Sequence, residues 1–393
     1  MPTTKKQTEE VKVETKTKSE KNFDGFKKAL SDLDKEFKKG LKSDDGFISL
    51  LPEMASANTN VISSGSIVLD SIAGGGIPEG RIVEIYGPEA SGKTSIALNL
   101  AANVQRNGGT AVFIDVEQAL DIRYASVLGV DINKLGFSQL SIAEEVLHAC
   151  EKLADSGQVN IIVVDSVAQM IPRKEFEEDI EKQTIGLMAR VFSKGLRKLT
   201  PIAKRNNCTI IFLNQTRDKV GVMFGNPETT PGGKALKFAA SQRIEVRKVG
   251  VVKDGTDIIG TEVKLKIVKN KIAPPFGEGK TILSFAKGIN RAAEILETGV
   301  DLGLLEKSGN THYYNPTTSI KLTNDNLLQD DGRIKLGTSK STAIKTLEEE
   351  KELFENVIEK LKIILKNRLE NVIPEEIEKQ FSQENEKDIF DEE

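Results

Sequence analysis

The residues from Gly87 to Leu100 read GPEASGKTSIALNL, and Gly87, Gly92, Lys93 and Thr94 stand at the fixed positions of G-x-x-x-x-G-K-[ST]. These types at this spacing suit one task, the holding of a triphosphate. The glycines let successive backbone N–H groups turn inward on the phosphates. Lys93 has the reach for the β and γ phosphates, and the Thr94 hydroxyl suits a Mg²⁺ ion. Pro88, Glu89, Ala90 and Ser91 fill the loop, and Ser95 follows it. A strand must deliver such a loop and a helix must carry it away. RIVEIY ahead of it is short and β-branched, and SIALNLAANVQRNGG behind it has apolar residues at helical spacing before a Gly-Gly stop.

Two further stretches offer carboxylates. NIIVVDS places Asp165 directly after a buried-type strand, where P-loop enzymes keep an acid for the magnesium ion. In FIDVE, Asp115 and Glu117 lie two apart at a strand's end, which puts both side chains on one side. A carboxylate there could orient and deprotonate an attacking water, with a capping or ion-paired acid as the structural alternative. Cys150 and Cys208 read as packed thiols, and His148 and His312 have no partners at metal-ligand spacing, so neither a disulfide nor a zinc site is expected.

The elements that must position these residues follow from the rest of the 393-residue chain. Residues 1–20 are polar and low in complexity, and are expected to be disordered. Residues 21–61 carry a helix and a linker, with Phe23, Phe26, Leu30, Leu33 and Phe37 on one helical face that must be buried in its own domain or on a neighbouring subunit. From 62 to 288 strands and helices alternate. TAVFIDVE, NIIVVDS, CTIIFLNQ, SQRIEVRKV and EVKLKIVK read as strands, and Ser141 with Glu144 reads as a capping box opening a helix. This pattern predicts an α/β core with a mainly parallel sheet covered by helices. Residues 289–374 read as a small α+β domain ending in one long charged helix, and 375–393 as an acidic tail.

Composition narrows the partners. The 38% hydrophobic and 29% charged content describes a soluble chain, and MPTTKKQTEE lacks the apolar core of a signal peptide, so no membrane and a cytoplasmic address are expected. The net charge of -4 is unevenly spread. Nine acids against two lysines give the tail -7, which leaves +3 for the remainder, and residues 186–275 hold eighteen Lys or Arg against six Asp or Glu, a surplus of 12. A surplus of that size beside a triphosphate loop points to a polyanion.

GPEASGKT, FIDVEQALDIRYASVLGV, IIVVDSVAQMIP, FLNQTRDKVGVMFGNPETTPGGKALKFAAS and VKNKIAPPF together resemble the bacterial RecA recombinases, in order and separation, over roughly Phe23 to Gly309. The resemblance implies a RecA-like P-loop ATPase core using ATP and Mg²⁺, with an N-terminal helix for polymerisation. It implies Glu117 as the water-activating acid beside Lys93, and Gln215 as the sensor of the γ-phosphate. Asp121 and Tyr124 would hold the adenine, and Thr94 with Asp165 the metal. Lys269 and Lys271 would reach a neighbour's nucleotide, beside Phe238 at the same interface. The two DNA loops map to about 178–185 and 216–232. There Ile185, Val220, Met223 and Phe224 would meet bases, while Arg190, Arg197, Arg217, Gly232, Gly233 and Lys234 would take phosphates. The implied function is recombination and repair: a homo-oligomeric helical filament on single-stranded DNA that pairs with homologous duplex and exchanges strands. Single-strand-binding, mediator and repressor proteins, the last with a co-protease role in the SOS response, are the implied protein partners. A ring-forming helicase and a filament-forming regulator that binds ATP without hydrolysing it are the alternatives. The chain departs from the pattern at Gln118 and Thr184–Ile185, where the family has His and a His-Met pair, in the NPTTSIKLTNDNLLQDDG stretch, and in having no Trp.

Overall fold

The computed structural model describes residues 18–40, 60–178, 186–218, 228–254 and 256–370. The chain forms two units, Met1–Asn58 and Thr59–Glu393. In the first, the described part is helix α1 (Lys18–Gly40), with Phe23, Phe26 and Leu33 exposed along it. The helix opens at Lys18, inside the stretch expected to be disordered, because KSEKN consists largely of residues that tolerate a helix although none of them is apolar. The Phe37 side chain lies outside the described residues.

The second unit is built on nine strands: β1 (Ile82–Gly87), β2 (Ala111–Asp115), β3 (Leu135–Ser138), β4 (Ile161–Asp165), β5 (Thr209–Gln215), β6 (Gln242–Asp254), β7 (Asp257–Asn270), β8 (Glu278–Ser284) and β9 (Gly288–Ile289). Their spatial order is β9-β8-β7-β6-β1-β5-β4-β2-β3. From β6 to β3 every pairing is parallel, and β7, β8 and β9 add an antiparallel wing. The parallel strands are covered on both faces, as their near-continuous apolar runs require. Val83, Ile85, Val163, Ile211 and Leu213 share one core with α2 (Ile67–Ala73) and α3 (Lys93–Arg106). Ile82, Ile162, Val164, Ile210 and Phe212, the alternate residues, share the other with α5 (Ala143–Asp155), α6 (Leu187–Arg205) and α7 (Gly233–Ala239). Between these lies the short α4 (Ile122–Val127). Cys150 and Cys208 are free thiols buried in the second core, and burial raises the pKa of both.

Beyond β9, helices α8 (Arg291–Asp301), α9 (Lys340–Glu349) and α10 (Lys351–Glu370) pack with a three-stranded antiparallel sheet of β10 (Leu305–Ser308), β11 (Thr311–Tyr314) and β12 (Ile334–Gly337). Their core includes Tyr314, Leu336 and Leu361. Two sequence expectations need correction. Ser141 does not cap α5: the residue before the helix is Ile142, without a side-chain cap, and Glu144 accepts from Arg173 N instead. A backbone bridge between Ile142 and Ile171 holds this entrance, so a cap is redundant. The expected single C-terminal helix is two helices broken at Glu350, whose buried carboxylate accepts from Thr323 N at 2.7 Å and Asn324 N at 3.0 Å.

Candidate active site

The carboxyl ends of four neighbouring strands meet at one edge of the sheet. Gly87 of β1 is in register with Gln215 of β5, and Asp115 of β2 with Asp165 of β4. Crevices outside such ends are where open α/β sheets take ligands. The phosphate-loop residues Gly87, Pro88, Glu89, Ala90, Ser91 and Gly92 turn between β1 and α3 under tight packing. A Cβ on Gly87 would lie 2.0 Å from the Val246 carbonyl oxygen. Gly92, at φ 94°, has the left-handed backbone that starts α3, and a Cβ there would lie 2.2 Å from Leu283 Cδ1.

Lys93 Nζ donates to Pro88 O at 2.7 Å and Gly87 O at 3.3 Å. Burial lowers its pKa, against the pull of Asp165, Glu117 and Glu89. Ser91 Oγ is buried without a partner, an orphaned hydroxyl inside a glycine-flanked loop that ends at a helix N-terminus, so these residues fit a phosphate group. Thr94 Oγ1 donates to Asp165 Oδ2 at 2.6 Å. Burial pushes the Asp165 carboxyl up to about 6, opposed by the Thr94 hydrogen bond and reinforced by Glu117. A carboxylate that holds a hydroxyl and gains from a nearby positive charge is a donor set that fits Mg²⁺.

Glu117 Oε1 accepts from Ser166 Oγ at 2.6 Å and from Gln215 Nε2 at 2.9 Å. Asp115 does not join it, contrary to the period-2 reading. β2 ends at Asp115, Val116 N and Glu117 N both turn to Asp165 O, and the Asp115 carboxylate accepts from Ala119 N and Leu120 N. One acid caps a loop while the other faces the cleft. At the cleft's side, Tyr124 Oη and Ser95 Oγ are 2.8 Å apart, and Asp121 caps α4 by accepting from Arg123 N and Tyr124 N.

Glu89, Lys93, Thr94, Glu117, Tyr124, Asp165 and Gln215 line a cleft of about 260 Å³, which Thr261, Leu283 and Phe285 close from the antiparallel wing. Two larger clefts, of about 770 and 810 Å³, hold none of these residues, so the smaller one is the candidate site. Sequence reasoning missed Ser166 and Phe285. The first had a signal, a hydroxyl directly after the strand acid; the second had none, because only the wing's pairing brings it here.

Among the described residues, none of the proposed nucleic-acid contacts lines the cleft. Arg190, Arg197 and Lys234 are exposed, with Arg197 Nε on Ser193 O at 3.0 Å. Arg217 donates to Ala168 O at 3.3 Å. Gly232 and Gly233, at φ 85° and 67°, open α7. Ile185, Val220, Met223 and Phe224 lie outside the described residues. Lys269 Nζ donates to Lys237 O at 2.8 Å and Phe238 O at 3.0 Å, while Lys271 is exposed and Phe238 is 71% exposed. Neither lysine lines this chain's own cleft.

Residues 24–290 match the family described as the RecA N-terminal domain. Protein RecA of Wolbachia sp. subsp. Drosophila simulans is 43% identical over 357 residues, covering 91% of this chain and 94% of that protein. Protein RecA of Clostridioides difficile is 43% identical over 335 residues, covering 85% and 90%. Protein RecA of Thermus thermophilus is 45% identical over 331 residues, covering 84% and 91%. Among the described residues no helix is long and apolar enough to cross a membrane.

Proposed function

This chain belongs to the RecA family, and on that premise we propose that it is a DNA-dependent ATPase that polymerises on single-stranded DNA, pairs it with homologous duplex and exchanges strands. One observation carries the reading: hydrogen bonds join Ser166, Glu117 and Gln215 in a line beside the Thr94–Asp165 pair, and Gln215 is the last residue of β5 before segment 216–231. The chemistry of the triphosphate and the geometry of the nucleic-acid loop thus share one side chain.

Lys93 and the loop amides bind the phosphates, and Thr94 with Asp165 would hold a Mg²⁺ ion, which when bound would supply positive charge to the triphosphate. Glu117 accepts the proton of the attacking water. Gln215 exchanges its bond to Glu117 for one to the γ-phosphate and passes the change to the loop. Asp121 and Tyr124 form the adenine wall. Lys269 and Lys271 complete the cleft of an adjacent protomer, with Phe238 at that contact, so ATP favours assembly and hydrolysis releases DNA and dismantles the filament. Arg190, Arg197, Arg217, Lys234 and the amides of Gly232 and Gly233 take backbone phosphates. Ile185, Val220, Met223 and Phe224 meet bases without reading them, and base pairing supplies the specificity. Within the chain, 21–61 serves polymerisation, 62–288 is the ATPase and DNA core, 289–374 a small domain and 375–393 a regulatory tail. The setting is cytoplasmic DNA repair, with single-strand-binding, mediator and repressor proteins as partners and a co-protease role in the SOS response.

Three-strand exchange with homologous and heterologous duplexes tests the reading. Product with the homologous duplex alone is expected, together with open helical filaments under the electron microscope. Lys93→Ala should abolish nucleotide-dependent filaments. Closed rings that unwind either duplex would identify a translocating helicase instead.

A further inference from the structure

Glu84 lies in the middle of β1 with no exposed surface, where an unpaired carboxylate would be strongly disfavoured. Its register neighbour on β6, Arg243, places Nε 2.5 Å from Oε2 and lays its guanidinium over the Tyr86 ring, 4.5 Å from the centroid. The other oxygen, Oε1, accepts from Asn214 Nδ2 at 2.9 Å. An ionised carboxylate only accepts, so it fixes which end of the Asn214 amide faces it. Asn214 Nδ2 also donates to Pro231 O at 3.0 Å, and Oδ1 accepts from Gln215 N at 3.0 Å. One buried amide therefore touches both ends of segment 216–231: Gln215 before it, and Pro231 just ahead of Gly232, which opens α7. Between these anchors the neck of the segment is itself paired, Arg217 with Thr229 and Asp218 with Glu228.

We propose that Asn214, its amide oriented by the buried Glu84–Arg243 pair, is a positioning residue that couples the nucleotide cleft to the nucleic-acid loop by holding both ends of segment 216–231 on the central strands. The inference rests on the function proposed above. Gln215 touches Glu117 through its side chain and Asn214 through its backbone N–H, so a displacement of Gln215 is felt at the Asn214 amide and hence at Pro231. Asn214 does not line the cleft, so it acts on the loop without touching the reacting groups.

The test uses the full-length protein, a non-hydrolysable ATP analogue, and two variants. Asn214→Ala removes every contact at once. The double exchange Glu84→Gln with Asn214→Asp is more selective. The new amide at position 84 can accept from Arg243 and donate to the new carboxylate, which still accepts from Gln215 N. The net buried charge is therefore conserved, while the Arg243 ion pair becomes a neutral-acceptor hydrogen bond and the donor to Pro231 O is replaced by an oxygen that repels it. In the wild type the analogue should change hydrogen exchange at both 216–218 and 228–232. In the double variant, the melting temperature should fall but the protein should stay folded at the assay temperature, with analogue affinity near wild type. The response at 228–232 should vanish, and stimulation of ATP turnover by single-stranded DNA should fall by about tenfold, a common size for a coupling between sites. An undiminished response at 228–232 in either folded variant would overturn the proposal, as would no response in the wild type. Failure of the functional reading looks different, because the wild type would then show no stimulation by DNA whatever the exchange pattern.

Discussion

Glu117 is held by two donors, Ser166 Oγ and Gln215 Nε2, and a glutamine side chain could keep both contacts through its carbonyl oxygen. What it could not keep is the capacity to take a proton. Glu117→Gln is therefore expected to bind ATP and DNA normally while turnover falls by about 100-fold or more, the usual scale for loss of a general base. Steady-state ATPase rates beside nucleotide affinities check this, and normal turnover would leave Glu117 a purely structural acid. The residues around it differ in how far the sequence displays them. Gly87, Gly92, Lys93 and Thr94 fall within one short motif, 87–94, so their joint role is written in one stretch, and Asp165 is marked by the apolar run ahead of it. Asp115 and Glu117 are marked only as a pair. Their separation into a loop cap and a cleft acid depends on where β2 stops, which the Asp165 carbonyl decides by accepting both Val116 N and Glu117 N. Phe285 reaches the cleft through strand pairing remote from the motif, and nothing local announces it.

At the scale of elements, helix ends were the least legible part, because tertiary partners replaced local caps at Ile142 and Glu350. The central parallel strands β1, β2, β4 and β5 were legible as short, mostly apolar runs buried on both faces, whereas the half-exposed edge strand β3 was not; of the antiparallel wing β7 read as a strand, and β8 and β9 did not. One cap has a pH consequence. Ser66 opens α2 by accepting from Leu69 N, and Glu294 of α8 accepts from Ser66 Oγ at 2.5 Å and from Ile67 N at 2.9 Å. Burial pushes the Glu294 carboxyl up to about 7 from an ordinary 4.5, despite those hydrogen bonds, with Asp70 nearby reinforcing the rise. The native state thus keeps a proton that the unfolded chain releases near pH 4.5. The resulting loss of stability is absent below that pH, grows as pH rises and is complete above about 7. Glu294→Gln removes this titration while keeping an acceptor for the cap. Its melting temperature should depend less steeply on pH between 5 and 8 than the wild type's, with the variant gaining relative stability at the alkaline end. Parallel melting curves across that range would show that the group does not carry the linkage.

At the scale of the whole molecule, charge and the N-terminal helix bear on assembly. Phe23, Phe26 and Leu33 leave α1 with an apolar face, and in the proposed filament that face docks on the next protomer. Deleting residues 1–40 should then give a folded monomer with a normal thermal transition that cannot polymerise, as judged by light scattering with ATP and DNA; a collapsed transition would place the face within its own subunit. The other terminus acts through electrostatics. Residues 375–393 carry -7 and the remainder +3, with the basic surplus concentrated in 186–275, where the proposed phosphate contacts lie. A tethered polyanion of that charge competes with DNA phosphates for the same cations, and duplex suffers more than single strands because its capture is weaker and more electrostatic. Removal of 375–393 should therefore tighten duplex binding at low salt. The gain should shrink as the Debye length falls towards roughly 10 Å at 0.1 M, since screening weakens the competition as well as the attraction. Strand exchange should need less free Mg²⁺ in the truncated protein, because divalent cations no longer have a tail to neutralise. A salt titration of duplex affinity for both proteins decides the matter: a tail that only aids solubility would leave the two curves superimposed, whereas a competing tail separates them at low salt and lets them converge as salt rises.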